Sequence, residues 1–391
     1  MSPPGRHVLY LSKRIGSREG GSEGERAASI YIASVMKKTD REIRLQHFSC
    51  WRSDIPSLII ILAFSVIAYI LFLPAPRISF LLASVAFIVF QMETYSWALI
   101  SKMLPRRRAT NLIQIVPPKN ENNLKFPKRV ILTANYDSSR TSPFGNRTLA
   151  RAYRFMYILL FLCILGLTGV SVVGIAGELA KFSSRILRVI WYFSSPLAGY
   201  ILIFTIILSW GEIFGRTSPG ANDNAAGVAV MLSLLEGINQ SPFENTEVWF
   251  VATARGFAGG RGMVELIKKN RKTLKGAYVL NIDHPGRGEI RLLKREGPIF
   301  GFSPGKKLKK ISKKAARSIG SDIGFSSCRV KKSDAMVAQA RGISAITICA
   351  MSGSTYPGWR SRNDTYDVID QSLLDKVKSL ALAIIKEIDA S

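Results

Sequence analysis

The sequence predicts an α/β domain with a mostly parallel central sheet, interrupted by two transmembrane helical hairpins, four transmembrane helices in all. Strand-like and helix-like runs alternate through the polar parts of the chain, the pattern of βαβ units. Two pairs of long apolar runs break that polar sequence, at 57–100 and 155–210. A third observation locates the centre of the domain: the run 218–235, SPGANDNAAGVAVMLSLL, sets Asn222, Asp223 and Asn224 at the mouth of a helix that is apolar on nearly every side. Val228, Ala229, Val230, Met231, Leu232, Leu234 and Leu235 leave no broad polar stripe, so this helix belongs in a core. The three Asx residues are placed to accept from its first backbone N–H groups.

The elements follow in chain order. A Gly-rich lead, IGSREGGSEGER, precedes RAASIYIASVMKK, in which Ala27, Ile30, Tyr31, Ser34 and Val35 recur at helical spacing and define a face for burial. Ser22 with Glu25 has the capping-box arrangement. EIRLQHF reads as a strand. Residues 57–73 are seventeen without a charge, and 79–100 is interrupted only by Gln91 and Glu93. The second pair comprises 155–177, uncharged for 23 residues, and 186–210, interrupted by Arg188 and Pro196. The organisation is therefore 1–56, the first part of the polar domain; 57–100, a hairpin; 101–154, the domain continued; 155–210, a second hairpin; and 211–391, the remainder. Strands are expected at 110–116 and 129–134, then EVWFVATA, a helix from Met263, AYVLNID, a basic helix near Lys306, ISAITICA, and a closing helix over 372–388. Asn135, Thr253 and Asp283 each lie where a strand ends, so they should converge near Asp223 at the carboxyl edge of the sheet.

Two hairpins return the chain each time to its starting side, so the polar sections share one compartment. Arg52, Lys102, Arg106, Arg107, Arg108, Arg151, Arg154 and Arg216 lie on that side, against Arg77, Lys181, Arg185 and Arg188 opposite, which assigns the polar domain to the cytoplasm of an integral, multi-pass protein. The net charge of +27, from 54 Lys plus Arg against 27 Asp plus Glu, calls for an anionic partner or surface. The four cysteines have no CxxC spacing, which signals neither a disulfide framework nor a zinc knuckle. The first twenty residues hold no apolar stretch of a cleavable secretory signal.

Motif by motif, the polar sequence resembles metallopeptidase family 28, the two-zinc aminopeptidases of clan MH. GSEGERAASIYIASVMKK resembles the family pattern GSxGERxAAxYIxxxL, ILTANYDSS its AHYDS strand end, and PGANDNAAGVAVML its GADDNASGVAxLLE. TEVWFVATARGFAGGRG resembles FxxxxAEExGLLGS, AYVLNID the INLDMIG strand, SDAMVAQARGISAITI the pattern SDHxxFxxxGIPAxxL, and RSRNDTYDVIDQSLLDKV the pattern HTxxDTxDxIDxxxLxxV. The resemblance implies a three-layer zinc-aminopeptidase-like domain. It also implies five metal ligands and a general base, because two cations polarise the scissile carbonyl and generate hydroxide while a carboxylate moves the proton.

Carried over position by position, the bridging ligand falls on Asp223 and a second acidic ligand on Asp283. The other positions are altered. The first His ligand is replaced by Asn135, a poor zinc donor beside imidazole. The paired glutamates fall on Thr253, at the general-base position, and Ala254, and the last His falls on Arg360. The chain holds only His7, His47 and His284, and His284, next to Asp283, is expected to point away from it. Arg360 is expected to supply the positive charge that metals would have given to Asp223 and Asp283. Asp137, Asp334 and Asp364 match acidic positions of the motifs and are expected behind the site, Asp364 equally as a loop acid capping a helix. Tyr136 and Asn224 are expected to line the cleft with Asp223 and Asp283.

The expected cofactor state is therefore metal-free, with zinc only if a site has been rebuilt. A catalytically degenerate pseudo-peptidase acting as a binding or assembly scaffold follows, with a peptide or protein ligand in the old cleft. A divergent membrane-bound metallo-aminopeptidase and a basic membrane-surface adaptor are the alternatives. For the adaptor, Lys306, Lys307, Lys309, Lys310, Lys313 and Lys314 share one helix with Leu308, Ile311, Ala315 and Ile319, a basic face suited to anionic lipid headgroups alongside the bilayer itself. No helix-turn-helix or ribonucleoprotein motif supports nucleic acid as a partner.

Overall fold

The computed structural model describes residues 3–120, 127–320, 323–328 and 331–391. Eight strands form one sheet: β1 (Ile43–Cys50), β2 (Arg107–Val116), β3 (Lys128–Asn135), β4 (Thr246–Thr253), β5 (Tyr278–Ile282), β6 (Glu289–Glu296), β7 (Phe325–Cys328) and β8 (Ser344–Met351). Their order is β1-β2-β4-β3-β5-β8-β6-β7. The central run β4-β3-β5-β8 is parallel, and β1, β2 and β6 add antiparallel pairings toward the edges. The sheet is assembled from all three polar sections of the sequence, because β1 pairs with β2 and β2 with β4.

Side-chain alternation sorts the strands into two buried faces. In β3, Val130, Leu132 and Ala134 join the core beneath α1 (Pro4–Leu9), α2 (Glu23–Met36), α7 (Ala226–Gln240), α9 (Lys306–Ser318) and α11 (Gln371–Asp389). Ile131 faces the other way, with α8 (Arg261–Lys269) and α10 (Asp334–Gln339). Two helical layers thus enclose the sheet. Helix α7 is buried along most of its length, as its unbroken apolar pattern requires. Gly227 lets it approach the sheet: a Cβ there would lie 2.6 Å from the Ile282 carbonyl oxygen. At the start of α2, the Ser22 hydroxyl accepts from Glu25 N at 3.2 Å. The returning Glu25 carboxylate accepts from Gly21 N, one residue further back than a capping box prescribes.

The apolar runs form α3 (Ile55–Ile70), α4 (Pro76–Thr94), α5 (Arg147–Leu179) and α6 (Ser184–Phe214). Three of them, α4, α5 and α6, are long and apolar enough to cross a membrane. The span expected at 57–73 is a helix of 16 residues. At ~1.5 Å per residue it is shorter than the ~30 Å hydrocarbon core, because the chain turns before Pro74 and restarts at Pro76. Both hairpins leave the domain at one end of the sheet. Cys50 opposite Arg107 and Leu112 opposite Ala252 place the roots of α3 and α4 beside the carboxyl end of β4, and α5 and α6 are inserted after the carboxyl end of β3.

Candidate active site and its metal positions

The carboxyl ends of β3, β4 and β5 and the loop entering α7 bring Asn135, Thr253, Asp283 and Asp223 together, all buried. Asp364 holds that loop: its two oxygens accept from Asn222 N at 2.7 Å and Asp223 N at 2.9 Å. The Asx residues do not cap α7, whose N-cap is Ala225 without a side-chain hydrogen bond, because their side-chain oxygens are engaged elsewhere: Asn222 Oδ1 accepts from Gly286 N, Asp223 Oδ1 from Lys331 and Asn224 Oδ1 from His284 N. Asn224 bridges the ends of β3 and β5. Its Nδ2 donates to Asn135 Oδ1 at 3.2 Å and to Ile282 O at 2.9 Å, and its Oδ1 accepts from His284 N at 3.1 Å.

Two cations occupy the centre, and neither is Arg360. Lys331 Nζ lies 2.8 Å from Asp223 Oδ1 and 2.9 Å from Asp283 Oδ1. His284 sets Nδ1 2.8 Å from Asp283 Oδ1 and Nε2 3.2 Å from Asp223 Oδ1. The expectation that His284 points away is thus overturned. Its φ of 52° is left-handed, which breaks strand alternation and swings the ring back over the carboxylates, where it stacks on Tyr356 at 4.3 Å. Arg360 instead sits over the Trp359 ring at 5.6 Å, with its own φ at 51° turning it toward a neighbouring cavity. The assignment of metal-like charge to Arg360 is corrected accordingly. Tyr136 is also displaced from its expected place in the cleft: strand alternation sends its ring into the core, where its hydroxyl donates to Thr110 O at 2.8 Å.

The electrostatics follow from burial opposed by close charge. Burial pushes the Asp223 and Asp283 carboxyls up, but the His284 and Lys331 charges more than reverse this and hold both below the usual range. Burial pushes His284 down, yet the two carboxylates raise it to about 9. Two anions and two cations therefore form a neutral quartet at neutral pH. Around it the acids behave differently. Burial pushes Asp334 to about 7, although it accepts from Thr253 Oγ1 at 2.7 Å, and pushes Asp364 to about 6. Burial likewise raises Asp137, which accepts from Gly256 N at 2.8 Å and Phe257 N at 3.1 Å. At the family's glutamate positions Thr253 serves Asp334, and Ala254 N donates to Asn111 Oδ1 at 3.0 Å.

Lys331 and Glu296 are residues that sequence reasoning missed. Lys331 stands just before the Ser333-Asp334 motif, and a lysine beside a motif with lost ligands was the available signal. Glu296 is buried at the end of β6, accepts from Ser333 Oγ and from Thr347 Oγ1, and is pushed by burial to about 7. The six lysines of α9 all lie exposed, and Lys314 pairs with Glu387 at 2.7 Å.

Residues 209–385 match the model for peptidase family M28. Over those residues the chain resembles peptidase family M28. Solved structures resemble this M28-like chain in fold. A zinc aminopeptidase from Bacillus subtilis is 15% identical, with a TM-score of 0.57 over 99% of this chain and 94% of that one. A Zn-dependent exopeptidase from Parabacteroides distasonis is 14% identical, with a TM-score of 0.55 over 99% and 96%. A glutaminyl cyclase from Porphyromonas gingivalis is 12% identical, with a TM-score of 0.57 over 99% and 97%. No curated protein matches the chain in sequence. A peptidase and a cyclase on one fold leave the chemistry to be read from the side chains.

Zinc, which the family implies, is tested against those side chains. Asp223, Asp283 and His284 are a group of potential ligands whose donor atoms lie within 4.8 Å of one another. Their donors already face one another and Lys331, whose ammonium lies between the two carboxylates within hydrogen-bond distance of each. Asp223 Oδ2 and His284 Nε2 are buried without a hydrogen-bond partner, two donors where one zinc takes about four. The residues present do not fit a pair of zinc ions.

Proposed function

We propose that this M28-like chain is a multi-pass membrane protein whose peptidase-like domain binds rather than hydrolyses. The observation that carries the reading is Lys331 Nζ between Asp223 and Asp283, a fixed cation in place of a removable one. An ammonium compensates two carboxylates, but it presents no open coordination position from which to polarise a carbonyl or activate water. The Thr253 and Ala254 side chains offer no carboxylate to move a proton. The four apolar helices are proposed to be embedded in a bilayer with the polar domain on its cytoplasmic side, in keeping with the short-loop charges. The exposed lysines of α9 would then be available to anionic headgroups.

The competing reading is a divergent hydrolase with one metal on Asp223, Asp283 and His284, favoured by the proximity of those three. It requires Lys331 to leave the carboxylates. Zinc content and aminopeptidase activity of the detergent-purified protein, repeated on Asp223→Ala, separate the two. Absence of both supports a binding domain; stoichiometric zinc with activity lost in the variant overturns it.

A further inference from the structure

A cavity of about 80 Å³ lies between the quartet and the roots of the hairpins. By the criterion of roughly 10–15 Å³ per water it holds several waters, or the head of a larger ligand. Its walls are apolar and aromatic and come from both parts of the molecule: Leu58, Tyr157 and Leu208 from the apolar helices, Phe144 and Phe257 from the domain loops. Its polar groups are unevenly satisfied. Asp54 is committed to Lys332 Nζ at 2.6 Å, and Glu93 accepts from Ser101 N at 2.9 Å. Lys331 is held by its two aspartates. By contrast Trp359, only 5% exposed, has an indole N–H with no partner, and the neighbouring Arg360 Nε is also buried and unpartnered. Both are donors. Two orphaned donors on neighbouring residues that line this cavity, one of them on a guanidinium, call for an anionic acceptor, since a buried donor left unmatched is costly.

We infer that this cavity binds an amphiphile with an anionic head, the head on Trp359 Nε1 and Arg360 and the alkyl chain running out between α3, α5 and α6. The inference rests on the binding reading above and names its ligand class. The head would face the Arg360 guanidinium, whose Nε is buried without a partner. The lining by helix roots gives the tail an apolar exit toward the surface on which Ile203 and Ile206 of α6 are exposed, so a bilayer amphiphile reaches it laterally.

The test uses the full chain in a non-ionic detergent, with dodecyl phosphate, dodecanol and inorganic phosphate as probes and the melting temperature as readout. Dodecyl phosphate is expected to give a saturable rise. Arg360→Gln and Trp359→Phe are each expected to weaken its apparent affinity tenfold or more. Trp359→Phe keeps an aromatic ring in the wall while removing the N–H and part of the indole, and an unchanged dodecanol response in it separates the lost donor from the lost volume if Arg360→Gln does not fold. Equal potency of inorganic phosphate assigns the site to a free anion and overturns the amphiphile, and equal potency of dodecanol removes the role of the head. A dodecyl phosphate effect unchanged in both variants, or no effect, also overturns it. None of these outcomes touches zinc content, on which the binding reading separately stands.

Discussion

Lys331→Met leaves Asp223 and Asp283 facing each other with one remaining cation, and uncompensated buried charge costs about 3–5 kcal/mol. A fall in melting temperature of at least about 5 °C is expected, and an unchanged melt would show that the ammonium is not what holds the carboxylates. Zinc should not move the melt of the unaltered chain but should raise that of Lys331→Ala, in which the space between the carboxylates is vacated. A rise in both proteins would mean that lysine and metal do not compete. Glu296 sets a pH dependence instead. Its folded pKa of about 7 lies above the ordinary 4.5 of a glutamate, so its contribution is fully present below 4.5 and is lost as pH rises through 7. Glu296→Gln, with the same shape, should flatten the decline in stability between pH 5 and 8, as measured by denaturant midpoints, and parallel slopes would refute the assignment. At this scale the sequence was partly legible. Asp223 and Asp283 stood in recognisable strings, whereas Lys331 reaches Asp223 across 108 positions and Asp283 across 48, and no spacing rule links them. His284 was misread because alternation assumes extended backbone and its φ is positive.

Segments near the start of the chain reach the site through Arg18, a fully buried guanidinium that ties three separate stretches together. It donates to Leu11 O, Gly16 O, Tyr136 O and Pro219 O, each at 2.8 Å, and to Gly220 O at 2.7 Å. Burial lowers its pKa to about 10, still far above neutrality. Each carbonyl orphaned by Arg18→Met would cost roughly 1–3 kcal/mol, so a loss above about 3 kcal/mol is expected. Loosening should be concentrated in the loop before α7, read by hydrogen exchange at Ala221 and Ala225; full protection there would discount the arginine as its anchor. Elements with a clear period were legible in the sequence: α7, α9, α11 and the apolar strands β3, β4, β5 and β8. α2 was legible as a helix but not in its face, since Ala28, Ile32, Val35 and Met36 are buried while Ile30 is 61% exposed. β6 was not, since EIRLLKRE carries charge on both faces, and β7 is only four residues long. Arg18 lay in a Gly-rich lead where a cation reads as solvated, and only the closed fold surrounds it with carbonyls.

The hydrogen bonding of the sheet constrains the membrane arrangement more strongly than helix length does. β1 precedes the first hairpin and β2 follows it, yet Cys50 opposes Arg107, so the chain enters and leaves on one side. α3 and α4 must therefore both cross or both remain at the interface, and the 16 residues of α3 cannot be discounted separately. The same logic binds α5 to α6, because β3 and β4 pair directly on either side of them. Arg77 meets Glu178 at 2.9 Å, joining the far loop of the first hairpin to the end of α5, so the two hairpins reach a common depth. If the four helices are embedded, Lys181 in the loop between α5 and α6 lies across the bilayer from the C-terminal Ser391. The native cysteines are buried, so an introduced thiol can be read without background. With the proposed orientation, a membrane-impermeant maleimide added to intact cells should label Lys181→Cys and spare Ser391→Cys until the membrane is opened. The reverse pattern would put the domain outside, and labelling of both in intact cells would mean that the hairpins do not cross.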